Sequence, residues 1–563
     1  MSRRIIPAIA LGLAAALTIA GCSNSGDDPT TSAAPGGGDD TVVQGTVPLT
    51  VAMPNGQLTN NSNPFSPDSA GNKTGYTWAI YEPLVQTNTY ADTDPVPWLA
   101  SAFSWSDDYT AVTFTARDGV KWSDGEDFTA DDIAYTFNFV KANQAANPNA
   151  YDITDVTVSG SDVTVTFGAA MFTKEYRVLQ QIILPEHIWS AMADPLTDLN
   201  QNPVGTGPYV MTTWTNQAIT MDANPTYWGG TPAAPQVQYS SYTDNSALIN
   251  ALLAGDVQWT WTFIPDWENV WVGQDPDHNH FFTPAAISGD VLYLNNETKP
   301  FNDPVFRKAL NMVIDRQAIF DKASSKAFPL VTNVTGIIEP AGSAYIADEF
   351  QGQNVAVDID GAKKLLTDAG YTYKGDELYD PSGERVSFKL SDPSGWTDYI
   401  DSLTLIASDA QKLGADATVD GQEQDAWFDN IAKGNFQASL HWTDGGNTPW
   451  DLYRSILDGN QYIKLGENAN WNFGRYNNQT TTDALATFAT SSDPDERSAA
   501  IATVEQAYVN DMPAIVVRGR PDSAEYSTLY YTGFPSEDDL YSGPQPTGPQ
   551  ASQILMKLRV NDK

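Results

Sequence analysis

Cysteine is almost missing from this chain: 1 among 563 residues, at position 22. No internal disulfide can form, so the fold must rest on its packed core. Histidine is nearly as scarce, with 4 copies, His187, His278, His280 and His441. His278 and His280 are spaced to share one face of a strand, but no third ligand stands nearby and no metal site is assigned. The chain has no Gly-x-Ser-x-Gly elbow and no His-Glu-x-x-His, the marks of a serine hydrolase or a zinc protease. Basic residues are few as well: 30 Lys plus Arg against 70 Asp plus Glu, a net charge of -40. A polyanion repels phosphate backbones and anionic lipid, which excludes nucleic acid as a partner. The same acidity keeps an exported protein in solution. With 41% hydrophobic and 18% charged residues the balance is that of a globular protein. Its length is too great for one core and predicts two or three domains.

Long apolar runs are confined to the N-terminus. Arg3 and Arg4 precede Ile5 to Ala20, a run broken only by Pro7, Gly12 and Thr18. This is a secretory signal over 1–21, too short for a comfortable membrane span. It closes on Ile19-Ala20-Gly21-Cys22, small residues before a cysteine that resemble a bacterial lipobox. That resemblance implies cleavage before Cys22 and lipidation of its thiol. Residues 22–46 are mostly Ser, Gly, Asp, Pro and Thr, too polar to order themselves. They predict a flexible tether with a reach of about 25 Å.

The stretch that organises the rest is Asn202 to Gly230. Gly205-Thr206-Gly207-Pro208 predicts a bend that uses glycine's freedom at positive φ. Tyr209 to Trp214 and Ala218 to Met221 then read as a hairpin, ended by Asn224-Pro225. Before it, Val47 to Ala52 reads as a strand and Tyr76 to Leu84 as a helix. Alternating runs at 111–116, 156–159 and 163–167 predict strands with one wet face. Thr129 caps a helix over 133–142, with Asp132 placed to complete a capping box. After it come a helix over 246–254, the strand Asp256 to Trp261, the apolar strand Val291 to Asn295, and a helix over 304–323. A helix over 361–369, a strand at 387–390, a helix over 399–413 and a strand at 436–442 predict an α/β lobe.

These pieces resemble, in order, the family 5 extracytoplasmic solute-binding proteins of ABC importers, the peptide-binding group that also takes nickel chelates and short oligosaccharides. The resemblance rests on Asn202 to Gly230 together with Trp98-Leu-Ala100, Arg117 to Gly125, Phe128 to Asp132, Ile183 to His187, Pro300 to Asp303, Arg307 to Leu310, Ile314 to Arg316, and Lys364 to Tyr371. It implies an α/β fold of two lobes, periplasmic-binding-protein-like of type II with an extra domain, joined by hinge strands. Lobe 1 would comprise 47–75, 204–298 and 522–563, with the crossing into the second lobe at Val291 to Asn295. Residues 76–203 would form an extra domain that decorates lobe 1 outside the cleft, and 299–521 would form lobe 2. Arg307, Asp315 and Arg316 would form a structural network.

The resemblance further implies a monomer, lipid-anchored on the outer face of the cell membrane, that captures a small polar ligand and presents it to ABC permease subunits. In peptide-binding relatives an aspartate after a Trp-containing strand end holds the ligand's ammonium, and Asp444 matches it. Relatives that bind cello- or xylo-oligosaccharides carry Thr-Pro-aromatic and Asn-Trp-x-x-Gly-Arg patterns in this region. Thr448-Pro449-Trp450 and Asn470-Trp471 through Gly474-Arg475 look closer to those. Trp259 and Trp261, expected on one face of a strand, would form a wall near the hinge. The ligand-binding candidates are therefore Trp442, Asp444, Trp450, Trp471, Trp259, Trp261 and Arg475, with no catalytic residue and no cofactor. The 16 Trp and 25 Tyr tilt the choice toward an oligosaccharide, because sugars stack on flat aromatic faces. An oligopeptide held at Asp444 is the alternative; a glycoside-acting enzyme or a surface adhesin stands behind both.

Overall fold

The computed structural model describes residues 42–561, apart from 55, 57, 67–68, 92, 150 and 243–244. The expected signal peptide, Cys22 and the tether up to residue 41 lie outside the described residues. The last tether residues are already part of the fold, since Gly45 N–H bonds Ala233 O at 2.8 Å. No helix among the described residues is long and apolar enough to cross a membrane.

Three sheets carry the architecture. In the seven-stranded sheet the order is Asn279–Phe282, Ala524–Ser527, Trp259–Thr260, Leu49–Met53, Gln236–Ser241, Ala218–Ala223 and Tyr209–Trp214. Leu49–Met53 sits in the middle and runs parallel to both neighbours, which explains why nearly all its residues are buried. In the five-stranded sheet the order is Asp416–Gln422, Ser387–Pro393, Ala438–Trp442, Ala285–Leu294 and Ala514–Pro521. Its first three strands are parallel, linked by the helices Thr397–Lys412 and Gln424–Lys433, as parallel pairing requires. In the four-stranded antiparallel sheet of Ala100–Trp105, Ala111–Ala116, Asp162–Phe167 and Ile153–Ser159, Ala111–Ala116 and Asp162–Phe167 show the expected alternation of buried and wetter positions. The run at 156–159 does not alternate, because this last strand is exposed at every position but Ile153 and Val156. The helix Ala130–Ala142 contacts this sheet and opens on the predicted capping box of Thr129 and Asp132.

The chain passes between the two larger sheets twice. It leaves Asn279–Phe282, crosses at Thr283–Pro284 and enters Ala285–Leu294. It returns from Ala514–Pro521 through Asp522–Ser523 into Ala524–Ser527. The crossings lie side by side, with Ala285 paired to Pro521. Val291 to Asn295, expected to make the first crossing, comes later: that apolar run is the inner half of a ten-residue strand already within the five-stranded sheet.

The Gly205-Thr206-Gly207 bend serves a purpose other than the predicted one. Neither glycine has positive φ; both are needed because another backbone passes against them. A Cβ on Gly205 would sit 2.0 Å from Ile80 O, and one on Gly207 would sit 2.4 Å from Ala79 O. Next to this contact the buried Glu82 carboxylate accepts from Trp98 Nε1 at 2.6 Å, Tyr227 Oη at 2.6 Å and Trp228 Nε1 at 3.0 Å. Several scattered motifs thus converge on one structural joint.

Two predicted helices are shorter than expected. Tyr76 to Leu84 is helical only over Thr77–Ile80, because Tyr81 turns extended. The helix predicted over 304–323 ends at Val313, followed by the short turns Arg316–Ala318 and Ile319–Ala323. Arg307 bonds the carbonyls of Phe301, Asp511 and Met512, and Arg316 bonds Val516 O and Asn311 Oδ1. Both are structural, as expected.

Candidate functional site

The three parallel strands of the five-stranded sheet deliver two loops to one place. Ser387–Pro393 runs into Gly395-Trp396, and Ala438–Trp442 runs into Thr443 to Pro449. Carboxyl ends of parallel strands are where open α/β sheets bind ligands, since the chain there is free to diverge. Across from these loops stand Trp261 to Ile264 and Trp267, which follow the end of the strand Trp259–Thr260 in the seven-stranded sheet. Between them lies a cavity of about 950 Å³. The crossing residues Asp522 and Ser523 also line it, as do Tyr176, Arg177 and Gln180. Residues 76–203 are therefore not mere decoration: they supply part of the wall.

The lining is rich in aromatic rings: Trp261, Phe263, Trp267, Phe281, Phe328, Trp396, Tyr399 and Trp442 among others. Most brace one another. Trp267 packs on Phe281 with centroids 4.5 Å apart, Trp396 on Trp427 at 5.0 Å, and Trp442 on His441 at 3.9 Å. Arg520 places its guanidinium 5.0 Å from the Trp442 ring. Burial pushes His441 down to about 4, so the ring under Trp442 is neutral. Trp261 differs, for its ring packs against no other aromatic among the described residues. Its Nε1 donates to Ser523 Oγ at 3.0 Å, which fixes the indole by its edge.

Charges around the cavity are mostly paired. Asp290 accepts from Tyr399 Oη and Arg518 Nε, both at 2.8 Å, and Asp398 accepts from Arg518 Nη2 at 2.8 Å. Asp444, the candidate ammonium anchor, is paired as well: Arg177 Nη2 donates to its Oδ1 at 2.8 Å and to Gly445 O at 2.9 Å. Tyr176 Oη donates to the same carbonyl at 2.7 Å. Burial works against the charge on Arg177, but the nearby carboxyls of Asp444 and Asp451 oppose it and the guanidinium stays firmly charged. Gly446 lets the loop lie close on Asp451, whose Oδ2 a Cβ there would approach to 2.2 Å. Burial pushes the Asp451 carboxyl up to about 7.

Of the seven sequence candidates, the structure brings Trp442 and Trp261 to the cavity; Asp444 is not among the lining residues, although its neighbours Thr443 and Gly445 are. The other four lie elsewhere, each for a packing reason. Trp259 is fully buried with Nε1 on Pro544 O at 2.8 Å; the strand stops at Thr260, so Trp259 and Trp261 do not share a face. Trp450 opens the helix Trp450–Leu457 and donates to Leu485 O at 2.9 Å. Trp471 packs near Phe473 and His441 on the core side. Arg475 is buried and bonds the carbonyls of Ala432 and Phe473. His278 bonds Asp275 and His280 bonds Thr528.

Sequence reasoning missed Arg177, Arg520 and Asp522. Only the general scarcity of cations, 30 in the whole chain, marked the two arginines; their immediate neighbours did not set them apart. Nothing in the pattern around Asp522 would have exposed it.

The family model of the bacterial extracellular solute-binding proteins, family 5, matches residues 94–464. Protein XP55 of Streptomyces lividans is 28% identical over 445 residues, covering 77% of each chain. Among solved structures, an oligopeptide ABC transporter periplasmic oligopeptide-binding protein of Thermotoga maritima superposes with a TM-score of 0.80 at 23% identity, over 91% of this chain and 99% of that one. The same protein with mannohexaose bound gives a TM-score of 0.74 at 22% identity and the same coverage. These neighbours share the type II periplasmic-binding-protein fold, in agreement with the α/β layers described above. The chain belongs to family 5 of the bacterial extracellular solute-binding proteins, the extracytoplasmic ligand-capturing components of ABC importers.

Proposed function

We propose that this protein captures a short oligosaccharide in the aromatic cavity and delivers it to an ABC permease without performing a reaction on it. Two lobes, one around each of the larger sheets, would close over the ligand about the paired crossings. The four-stranded sheet and its surroundings would ride on the first lobe. The protein would act as a monomer, tethered outside the cell by acyl chains on Cys22.

The observation that carries this reading is the combination of many aromatic faces in the cavity with an Asp444 already paired to Arg177. A peptide needs fixed countercharges for both its ends. A sugar needs flat apolar faces and hydrogen-bonding groups instead. Micromolar affinity requires about 8 kcal/mol. Two sugar rings burying roughly 100 Å² of apolar area each would supply about 5 kcal/mol. Hydrogen bonds at the cavity wall supply the rest. The bound mannohexaose of the Thermotoga maritima neighbour supports the sugar reading, whereas the oligopeptide in that neighbour's name supports the alternative.

The test is a thermal-shift screen of cello-, xylo-, laminari- and manno-oligosaccharides against di- to pentapeptides, followed by calorimetry and product analysis. Binding of an oligosaccharide, weakened at least ten-fold in Trp261→Ala and with no shorter sugars formed, is the expected result. Tight binding of free peptides alone would overturn it, and the appearance of shorter sugars would make the protein an enzyme.

A further inference from the structure

We propose that Asp522 and Trp261 together form one sugar subsite beside the crossings, in which the indole carries the ring and the carboxylate receives two neighbouring hydroxyls. The inference deepens the oligosaccharide reading and rests on it.

The two residues are held side by side by the chain itself. Asp522 and Ser523 are the two residues between Ala514–Pro521 and Ala524–Ser527. Ser523 Oγ receives the Trp261 Nε1 proton at 3.0 Å. Both Asp522 and Trp261 line the cavity. Each is the exception of its kind there. Asp290 and Asp398 are bonded to Arg518, and Asp444 to Arg177. Asp522 makes no hydrogen bond or ion pair with any described residue. Trp267, Trp396 and Trp442 lean on other rings, while the Trp261 ring does not.

The wall behind them is also short of partners. Glu525 is fully buried; its Oε2 accepts the Thr262 N–H at 3.0 Å, but among the described residues its Oε1 has no partner, and neither has Thr262 Oγ1. Burial pushes the Asp522 carboxyl up to about 7, as expected where no cation or donor compensates it.

These facts constrain the occupant. A wholly apolar ligand that filled the cavity would strip water from Asp522 and give nothing back, which is costly for a carboxylate. The occupant must therefore bring donors to Asp522 and an apolar face to Trp261 at once. A carboxylate has two oxygens, each able to accept, which matches the pair of adjacent hydroxyls on a sugar ring. The apolar C–H face of the same ring is what stacks on an indole.

The experiment is calorimetry on the full chain with cellotetraose, xylotetraose, laminaritetraose and mannohexaose. It compares wild type with Asp522→Asn, Asp522→Ala, Trp261→Ala and the double variant D522A/W261A. At pH 8.5, where the Asp522 carboxyl is ionised, Asp522→Ala should lose about ten- to hundred-fold in affinity for the sugar that wild type binds best, the range for hydrogen bonds to a charged group. Asp522→Asn, which keeps one acceptor and the shape, should lose less. The double variant should lose less than the product of the two single losses, because both groups hold one ring. Thermal midpoints without sugar show that each variant folds, with Asp522→Asn as the least disruptive. If a sugar binds wild type and both Asp522 variants bind it within two-fold, the subsite is refuted while the oligosaccharide reading stands. Strict multiplication of the two losses would also refute a shared ring. If no sugar in the panel binds wild type, both readings fall. Loss of free-amino tripeptide binding in Asp522→Asn would then assign the carboxylate to an ammonium.

Discussion

Replacing Arg177 by glutamine probes whether Asp444 is available to a ligand. In the wild type the guanidinium bonds Asp444 Oδ1 at 2.8 Å, Gly445 O at 2.9 Å and Asn149 Oδ1 at 3.1 Å. At 4 Å and an effective dielectric constant of 20 the bare attraction of such a pair is about 4 kcal/mol. The Arg177 and Asp444 side chains keep 26% and 29% of their surface, however. Solvent screening and side-chain ordering reduce a pair of this kind to about 1 kcal/mol net. A peptide ammonium competing for Asp444 in the wild type must displace that guanidinium, a handicap of roughly five-fold in affinity. Arg177→Gln removes the competitor and leaves a partly buried carboxylate unpaired. Affinity for a free-amino tetrapeptide should therefore rise about five-fold relative to its N-acetylated form, which has no ammonium. Oligosaccharide affinity should fall or stay level, because the wall around Gly445 loses a tie. Calorimetry with the tetrapeptide pair and one oligosaccharide, at low and high salt, measures all of this. The reasoning is refuted if wild type already binds the free-amino peptide at least ten-fold more tightly than the acetylated one and loses that preference in Asp444→Asn.

Two further predictions concern stability. Gly205→Ala would drive a methyl group to 2.0 Å from Ile80 O, a clash with backbone that cannot rotate away. It should cost about 3 kcal/mol or more, read as a lowered urea midpoint, and a midpoint within error of wild type would remove the joint argument. Glu525 is fully buried, and burial raises its carboxyl to about 8. A carboxyl raised on folding keeps its proton in the native state while the unfolded chain has lost it. The contribution of Glu525 to stability is therefore fully present below the unfolded carboxyl range and is lost as pH climbs toward 8, at up to about 1.4 kcal/mol per pH unit. Glu525→Gln, neutral at every pH, should flatten the urea midpoint between pH 5 and 8 and stabilise the protein at pH 8. An unchanged slope would place the pH dependence elsewhere.

What could be read from the residues followed their range. Capping at Thr129 and Asp132 and the alternation at 111–116 depend on neighbours a few positions apart, and the structure has them as expected. The ordered motifs located the α/β fold, although their reason was hidden: Gly205 and Gly207 yield to a passing backbone rather than to a φ angle. The site was half legible. Trp442 follows from a strand end leading into a glycine loop. Trp450, Trp471 and Arg475 share that loop's polar-aromatic character but turn inward to satisfy carbonyls or to pack. Local sequence does not distinguish an indole that braces a core from one that faces a ligand. The Arg177–Asp444 pair joins residues 267 positions apart, and no periodicity reaches that far.

The crossings at Thr283–Pro284 and Asp522–Ser523 are ties without slack. Two extended residues span at most about 7 Å, and the strands on either side are locked in their sheets. Lobes closing as proposed would swing about a line through the ties and could not slide along it or draw apart, so the gape of the mouth would be an angle and its depth fixed. Cargo seated against the ties would meet the same contacts whatever its length, and a longer chain could only project from the rim.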